Sequence, residues 1–251
     1  MIRVSADPGH HNGTAIAQVR LVSRYNGRMG TAWVIAAVAA YLCGSIPFGL
    51  LIGLAHGVDI RTQGSRNIGA TNCGRVVGKQ WGAICFALDV LKGLVPTAAA
   101  GSWFGWLGAD QLGVTDAWLW LVIAVAAVVG HVLPIWLRFR GGKGVATGFG
   151  AMLGIWPYLT LPAAVALATW LILAAAFRYV SLASVVGSLL MPLYVAAAAW
   201  WFGWSLSWAW PFIVVTGAMG LLILWRHRTN LIRLMQGAEP RLGAEAADPD
   251  G

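Results

Sequence analysis

Long apolar runs fill most of the chain, separated by short polar segments in which basic residues gather. A bilayer's hydrocarbon core of about 30 Å needs about 20 mostly apolar helical residues to cross it. Candidate runs fall at roughly 32–55, 81–101, 118–137, 145–157, 159–177, 181–202 and 209–225. This pattern predicts an all-α integral membrane protein of about seven transmembrane helices. The fourth run is short: at 1.5 Å per residue it covers only about 20 Å. Pro157 and Pro162 mark a turn or kink before the fifth run. A short tilted helix and a re-entrant segment both fit residues 145–157.

The polar segments test this count independently. With the N-terminus outside, the inside segments are 56–80, 138–144, 178–180 and 226–251. They hold Arg61, Arg66, Arg75, Lys79, Arg138, Arg140, Lys143, Arg178, Arg226, Arg228, Arg233 and Arg241. The outer connections at 102–117, around 158 and at 203–208 hold no basic residue, and the first carries Asp110 and Asp116. Cytoplasmic loops carry the excess of Lys and Arg, so seven crossings with a cytoplasmic C-terminus fit, whereas an even number scrambles the distribution.

Residues 1–28 run against that rule, with Arg3, Arg20, Arg24 and Arg28 on the outer side. They also lack the apolar core of a signal peptide. Met29 stands just before the first run, so the expectation is that translation begins there and that 1–28 are a mis-called start. A disordered external tail is the alternative, and an N-terminal mass of native protein separates the two. Residues 29–239 then form the membrane domain, and 240–251 a disordered cytoplasmic tail.

Composition narrows the class further. Apolar residues make up 59% of the chain and charged residues only 10%, against about 25% charged in soluble domains. The 15 tryptophans suit the headgroup level of a bilayer. The net charge of +8 does not point to nucleic acid, because the basic residues lie between apolar runs and not on a water-soluble face. Cys43, Cys73 and Cys85 show neither metal-binding nor disulfide-framework spacing.

Four inside clusters carry the candidate chemistry. DIRTQGSRNIGATNCGRVVGK at 59–79 combines arginines with Ser65, Asn67, Thr71, Asn72 and glycines. Such residues let backbone N–H groups approach an anion while guanidinium groups grip it; an ordinary polar loop or a helix on anionic headgroups is the plainer reading. FRGGKGVATG at 139–148 is a glycine-rich turn leading into a helix, a natural phosphate seat with Lys143 adding a point charge. It is not a nucleotide-binding P-loop, because Gly144 follows the lysine where Ser or Thr is required. RYVSLAS at 178–184 places Ser181 at a helix start, where it could simply cap the helix. RHRTNLIRL at 226–234 reads either as a flank of the last span or as a site, since His227 and Asn230 share a helical face. Asp89 and Lys92 in the second run are expected to pair or to face a polar interior, and His131 in the third run to be a hydrogen-bonded packing residue.

Taken together, GSIPFG at 44–49, GSRNIGATN at 64–72 with Arg75, DVLKG at 89–93, GHVLPIWLRFRGGKGVATG at 130–148, RYVSLAS and RHRTNLIRL resemble the signature segments of the bacterial acyl-phosphate:glycerol-3-phosphate acyltransferase (PlsY) family. The resemblance runs from about residue 32 to 239. It implies transfer of an acyl group from acyl phosphate to the 1-hydroxyl of glycerol 3-phosphate, at the cytoplasmic face of the inner membrane. The products are lysophosphatidic acid and inorganic phosphate, with no metal or other cofactor. It implies functional roles for Ser65, Arg75, Lys143, His227 and Asn230. The expected partners are glycerol 3-phosphate, acyl phosphate, membrane lipids and a soluble phosphate acyltransferase that supplies the donor. Arg66 departs from the family pattern and is expected at the rim. On this reading Arg75 and Lys143 bind phosphates, Asn67, Asn72 and Asn230 orient oxygens, Gly141, Gly142 and Gly144 shape the pocket with Ser181 nearby, and Ser65 and His227 sit near the reacting hydroxyl. A transporter of an organic phosphate and a non-catalytic lipid-binding scaffold are the rivals.

Overall fold

The computed structural model describes residues 30–110 and 112–243, and the fold is helical throughout them. The expectation for residues 1–28 lies outside the described residues. Helix α1 spans 30–44. A short break at Ser45–Pro47, where the proline removes a donor, separates it from α2 (Phe48–Ala55). A loop and the short α3 (Ala70–Val76) lead into α4 (Lys79–Trp103). Then follow α5 (Val114–Val132), α6 (Val145–Leu153), α7 (Thr160–Phe177), α8 (Val180–Trp201), α9 (Leu206–Arg226) and α10 (Arg228–Met235).

Among the described residues six stretches are long and apolar enough to cross a membrane: Gly30–Ala55, Lys79–Trp103, Val114–Leu137, Thr160–Phe177, Val180–Trp201 and Leu206–Arg226. These bear out six of the seven expected runs, and the protein is a multi-span membrane protein. The remaining one, the fourth at 145–157, forms a helix of only 9 residues. Irregular turns continue it to Tyr158, whose ring lies 5.7 Å from that of Trp204 and 5.1 Å from that of Trp208. The segment thus reaches the far end of the bundle without being a full-length helix.

Close backbone approach fixes α6. A Cβ on Gly93 of α4 would stand 2.1 Å from the Thr147 carbonyl oxygen, and one on Gly150 of α6 2.0 Å from that of Val90. Only glycine permits this contact, the small-residue packing that holds membrane helices together when burial from water supplies no drive. The consequence is positional: α6 lies flat on α4 with its N-terminus at one end of the bundle.

The far end is aromatic. Tyr158, Trp204, Trp208 and Phe212 cluster there, and the Trp208 indole N–H donates to the Leu112 carbonyl at 2.6 Å. Trp103 and Trp200, each 80% exposed, stand out from the bundle as interfacial anchors do. The core between the two ends is built on Trp120, Leu121, Ile123, Leu159 and Phe212.

Candidate active site

A polar cleft of about 800 Å³ opens at the end of the bundle opposite the aromatic cluster. Its wall draws on residues from Ser65 to Gly243. Helices α4, α6 and α8 all begin at this cleft, with Lys79, Val145, Ala146, Val180 and Ser181 among the lining residues. Helix starts leave unpaired N–H groups and a positive dipole end. Three of them converging on one cavity suit it to an anion.

The first loop delivers its residues through Asn72. That side chain is 1% exposed. Its Oδ1 accepts from the Ser65 N–H at 2.8 Å, and its Nδ2 donates to the Ile60 and Gln63 carbonyls at 2.8 and 3.2 Å. Asn72 therefore holds the loop together and sets Ser65 at the rim; its polar atoms are spent on the backbone, where the sequence led us to expect a contact with substrate. Asn67 also works locally, accepting from the Gly69 N–H at 2.9 Å while lining the cleft. Arg66 is exposed, in the left-handed region at φ 57°, and is not among the cleft-lining residues. The rim role expected for it finds no contact here.

The glycine-rich loop is likewise held by its own backbone. The Gly141 and Gly142 N–H groups donate to the Val132 and His131 carbonyls at 3.1 Å each, so they are not free for a phosphate. The reason both are glycine is packing. A Cβ on Gly141 would meet the His131 carbonyl oxygen at 2.1 Å, and one on Gly142 the His131 ring at Nε2, also at 2.1 Å. His131 is itself buried beside Asp89, which pairs with Lys92 at 2.7 Å as expected. On the other side, one nitrogen of the Arg226 guanidinium donates to the carbonyls of Gly141 and Gly142, at 2.7 and 2.8 Å. The loop is thereby clamped from both faces, and Lys143 and Gly144 (φ +89°) emerge from it into the cleft.

Lys143 Nζ donates to Asn230 Oδ1 at 2.5 Å. Asn230 Nδ2 in turn donates to Glu239 at 2.7 Å, and Glu239 accepts from Arg233 at 3.0 Å. Burial pushes the Lys143 ammonium down to about 8, partly opposed by the Glu239 carboxylate and reinforced by Arg233, Arg75 and Arg226. Burial likewise pushes the His227 imidazole down to about 4, with the Lys143 charge adding to the effect. His227 Nδ1 lies 2.8 Å from the Ile223 carbonyl, which can only accept, so the proton sits on Nδ1 and the Nε2 lone pair is left. Arg75 is pushed down by burial and donates weakly to the Pro240 carbonyl at 3.4 Å. Ser181 Oγ and Thr147 Oγ1 are buried without a hydrogen-bond partner. Ser181 does not cap α8, whose N-cap is Tyr179.

Residues 240–243, expected to be unstructured, lie across the cleft. The Leu242 N–H donates to the Arg178 carbonyl at 2.6 Å and Arg178 returns a bond to the Leu242 carbonyl at 3.1 Å. Ser65, Asn67, Asn72, Arg75, Lys143, Gly144, Ser181, His227 and Asn230 thus meet at one cavity. Sequence reasoning missed Glu239 and the clamp by Arg226. No cluster of three or more His, Cys, Asp or Glu that could hold a metal occurs among the described residues.

A second cavity, of about 400 Å³, continues from the first into the bundle. Phe86, Val145, Ala146, Trp170 and Ser184 line both. Its other lining residues are apolar or glycine except Ser188 and Thr216, whose hydroxyls donate to the Ser184 and Phe212 carbonyls of their own helices. With its polar atoms satisfied, such a space stays dry.

Comparison with known proteins agrees with this arrangement. The glycerol-3-phosphate acyltransferase family profile matches residues 34–237. The chain is 42% identical to a glycerol-3-phosphate acyltransferase of Thermosynechococcus vestitus, over 86% of this chain and 99% of that one. It is 41% identical to that of Geobacter sulfurreducens, over 84% and 98%. Crystal structures of PlsY (YgiH), an integral membrane glycerol 3-phosphate acyltransferase, superpose with TM-scores of 0.73 for the glycerol 3-phosphate form and 0.71 for the lysophosphatidic acid form. They are 36% and 35% identical to this chain and cover 84% of it. A profile spanning most of the chain, relatives matched over nearly their full length and a shared fold lead to one conclusion: this chain belongs to the glycerol-3-phosphate acyltransferase family.

Proposed function

We propose that the cleft is the active site in which an acyl group passes from acyl phosphate to the 1-hydroxyl of glycerol 3-phosphate, the acylation that opens phospholipid synthesis. The observation that carries this reading is the continuity of an anion-binding cleft with a dry apolar cavity. An acyl phosphate has those two halves, and its carbonyl would lie at their junction. The related PlsY structures, in glycerol 3-phosphate and lysophosphatidic acid forms, supply the acceptor and the product.

In the reaction the acceptor oxygen attacks the acyl carbon, and the bond from that carbon to the phosphate oxygen breaks. Phosphate is a good leaving group, so no covalent enzyme intermediate is needed. The protein's task is to hold two anions together and to stabilise charge on the carbonyl oxygen. Lys143 and Arg75 hold phosphates, with the free N–H groups at the starts of α6 and α8 and the Ser181 hydroxyl as neutral donors. Ser65 and His227 Nε2 face the reacting hydroxyl. An imidazole pushed down to about 4 is a weak base, so His227 accepts a hydrogen bond and orients the hydroxyl while a substrate phosphate oxygen takes the proton. Asn230 keeps Lys143 in position. Asn67, Asn72, Gly141 and Gly142 shape the loops, and Gly144 opens the way to the helix start.

The excess of basic residues at the cleft end supports a cytoplasmic active site, and multiple apolar helices suit the inner membrane. A soluble enzyme that makes acyl phosphate from an acyl thioester is the partner this chemistry requires. The test uses purified protein in detergent with palmitoyl phosphate and glycerol 3-phosphate, following phosphate release, with palmitoyl-CoA as the rival donor and Lys143→Ala as control. Release that needs glycerol 3-phosphate and is lost in the variant supports the reading. Uptake of glycerol 3-phosphate into vesicles without conversion would replace it with transport, and turnover of palmitoyl-CoA would overturn the donor.

A further inference from the structure

The apolar cavity has a closed end. Leu121 of α5, Ile155 and Leu159 of the turn after α6, and Met191 of α8 line it at the side away from the cleft, each only 1–2% exposed. Its depth follows from the helices that line it. Ser184 at the junction and Met191 at the floor are seven residues apart on α8, and Ile223 and Val215 eight apart on α9, which gives about 10–12 Å at 1.5 Å per residue. A straight alkyl chain advances about 1.25 Å per carbon when its bonds are about 1.5 Å long. It therefore reaches the floor after roughly eight to ten carbons, and bending within the width of the cavity extends the limit.

One wall is kept open by a residue without a side chain. Gly187 lines the cavity from α8, and a Cβ placed on it would lie 3.5 Å from its nearest neighbour, the Ala166 carbonyl oxygen. Ordinary van der Waals contact would accept that carbon, so neither backbone approach nor packing requires glycine here. What the absent side chain leaves is volume.

We infer that this cavity is a measuring pocket that sets an upper limit on the acyl chain the protein transfers, with Met191 as its floor and Gly187 as the residue that keeps it deep. The inference rests on the acyl-transfer reading and adds the chain-length class of the donor. The physical argument turns on where the donor comes from. An acyl chain in a bilayer is already out of water, and lipid tails are as apolar as leucine side chains. Moving the chain into the pocket supplies no gradient that rewards each added methylene. Only contact with a closed end discriminates, and it discriminates against length. Forcing extra methylenes into a packed interior then slows transfer by about fivefold or more.

The experiment measures transfer from acyl phosphates, decanoyl to eicosanoyl, held at equal surface density in phosphatidylcholine vesicles with the full-length protein. The expected profile is level up to a limit above about ten carbons and then falls. Gly187→Leu, which adds four carbons to the wall and improves helix propensity, moves the fall to chains roughly four carbons shorter, with the KM for glycerol 3-phosphate unchanged. Thermal unfolding in detergent at the unsubstituted protein's temperature shows that the variant is folded. Met191→Ala moves the fall the other way. A level profile through eicosanoyl phosphate, or a fall that neither substitution moves, overturns the inference, because the chain then runs out between the helices into lipid. Turnover of no donor at all by the unsubstituted protein overturns the acyl-transfer reading, and this inference with it.

Discussion

Replacing Lys143 by arginine alters the pH at which the cleft loses its central positive charge. Lys143 is held by Asn230 at 2.5 Å, and burial pushes its ammonium down to about 8. The charged form, to which phosphate binding is proposed here, is therefore present below that pH and lost above it. A phosphate monoester gains its second charge near pH 6, so kcat/KM for glycerol 3-phosphate should peak between about 6 and 8. Because kcat/KM reports the free enzyme, it should fall about tenfold by pH 9 and about a hundredfold by pH 10. A guanidinium stays charged throughout this range, so Lys143→Arg should keep a level alkaline limb. At neutral pH Lys143→Ala should lose about 10–150-fold, the equivalent of a hydrogen bond to a charged group at about 1.5–3 kcal/mol. The assay is phosphate release with acyl phosphate and glycerol 3-phosphate both limiting, so that the free enzyme is the titrating species, corrected for uncatalysed hydrolysis at each pH. If the arginine variant keeps a fall centred near 8, another group titrates and the reasoning about Lys143 is refuted.

Three further outcomes follow from contacts around the cleft. Gly142→Ala places a carbon 2.1 Å from His131 Nε2, so the loop must shift by about an ångström; kcat/KM for glycerol 3-phosphate should fall on the order of a hundredfold, and an unchanged value would show that the loop does not position Lys143. Arg226→Lys keeps the charge but loses the guanidinium that reaches both loop carbonyls, and should raise the KM for glycerol 3-phosphate by roughly tenfold, whereas a role confined to net charge would leave it unaltered. Asp89→Ala leaves Lys92 buried and unpaired, at a cost of about 3–5 kcal/mol; thermal unfolding in detergent should show a clear loss, and wild-type stability would mean the pair is solvated.

The crossings were legible because an apolar run of sufficient length has one outcome in a bilayer. Run length alone could not show that residues 145–157 make only a nine-residue helix, since that depends on glycine contacts between α6 and α4. The polar segments announced an anion site by composition, yet composition cannot say which side chains turn inward. Asn67, Asn72 and Asn230 look alike in sequence; tertiary packing spends Asn72 on its own loop and joins Asn230 to Lys143. The sequence shows that Gly141 and Gly142 shape the loop but not that His131 packing against them is what requires glycine. Glu239 gave no signal, because a lone acid near a polar terminus resembles any solvated residue until its partners on α10 are known.

The segment that crosses the cleft ties function to synthesis. His227, Asn230 and Glu239 belong to the last 25 residues of the chain, and the segment through Gly243 lies beside Arg75 and Arg178. A ribosome that has made every membrane helix has still not made Asn230 or the residues at 239–243 that line the cleft. The cleft-lining residues of α10 and of 239–243 follow every membrane helix in the chain and pack against earlier segments, at Arg75 and Arg178. A protease that trims the chain at Gln236 would spare the bundle yet remove Glu239 and the cleft-lining Pro240, Leu242 and Gly243.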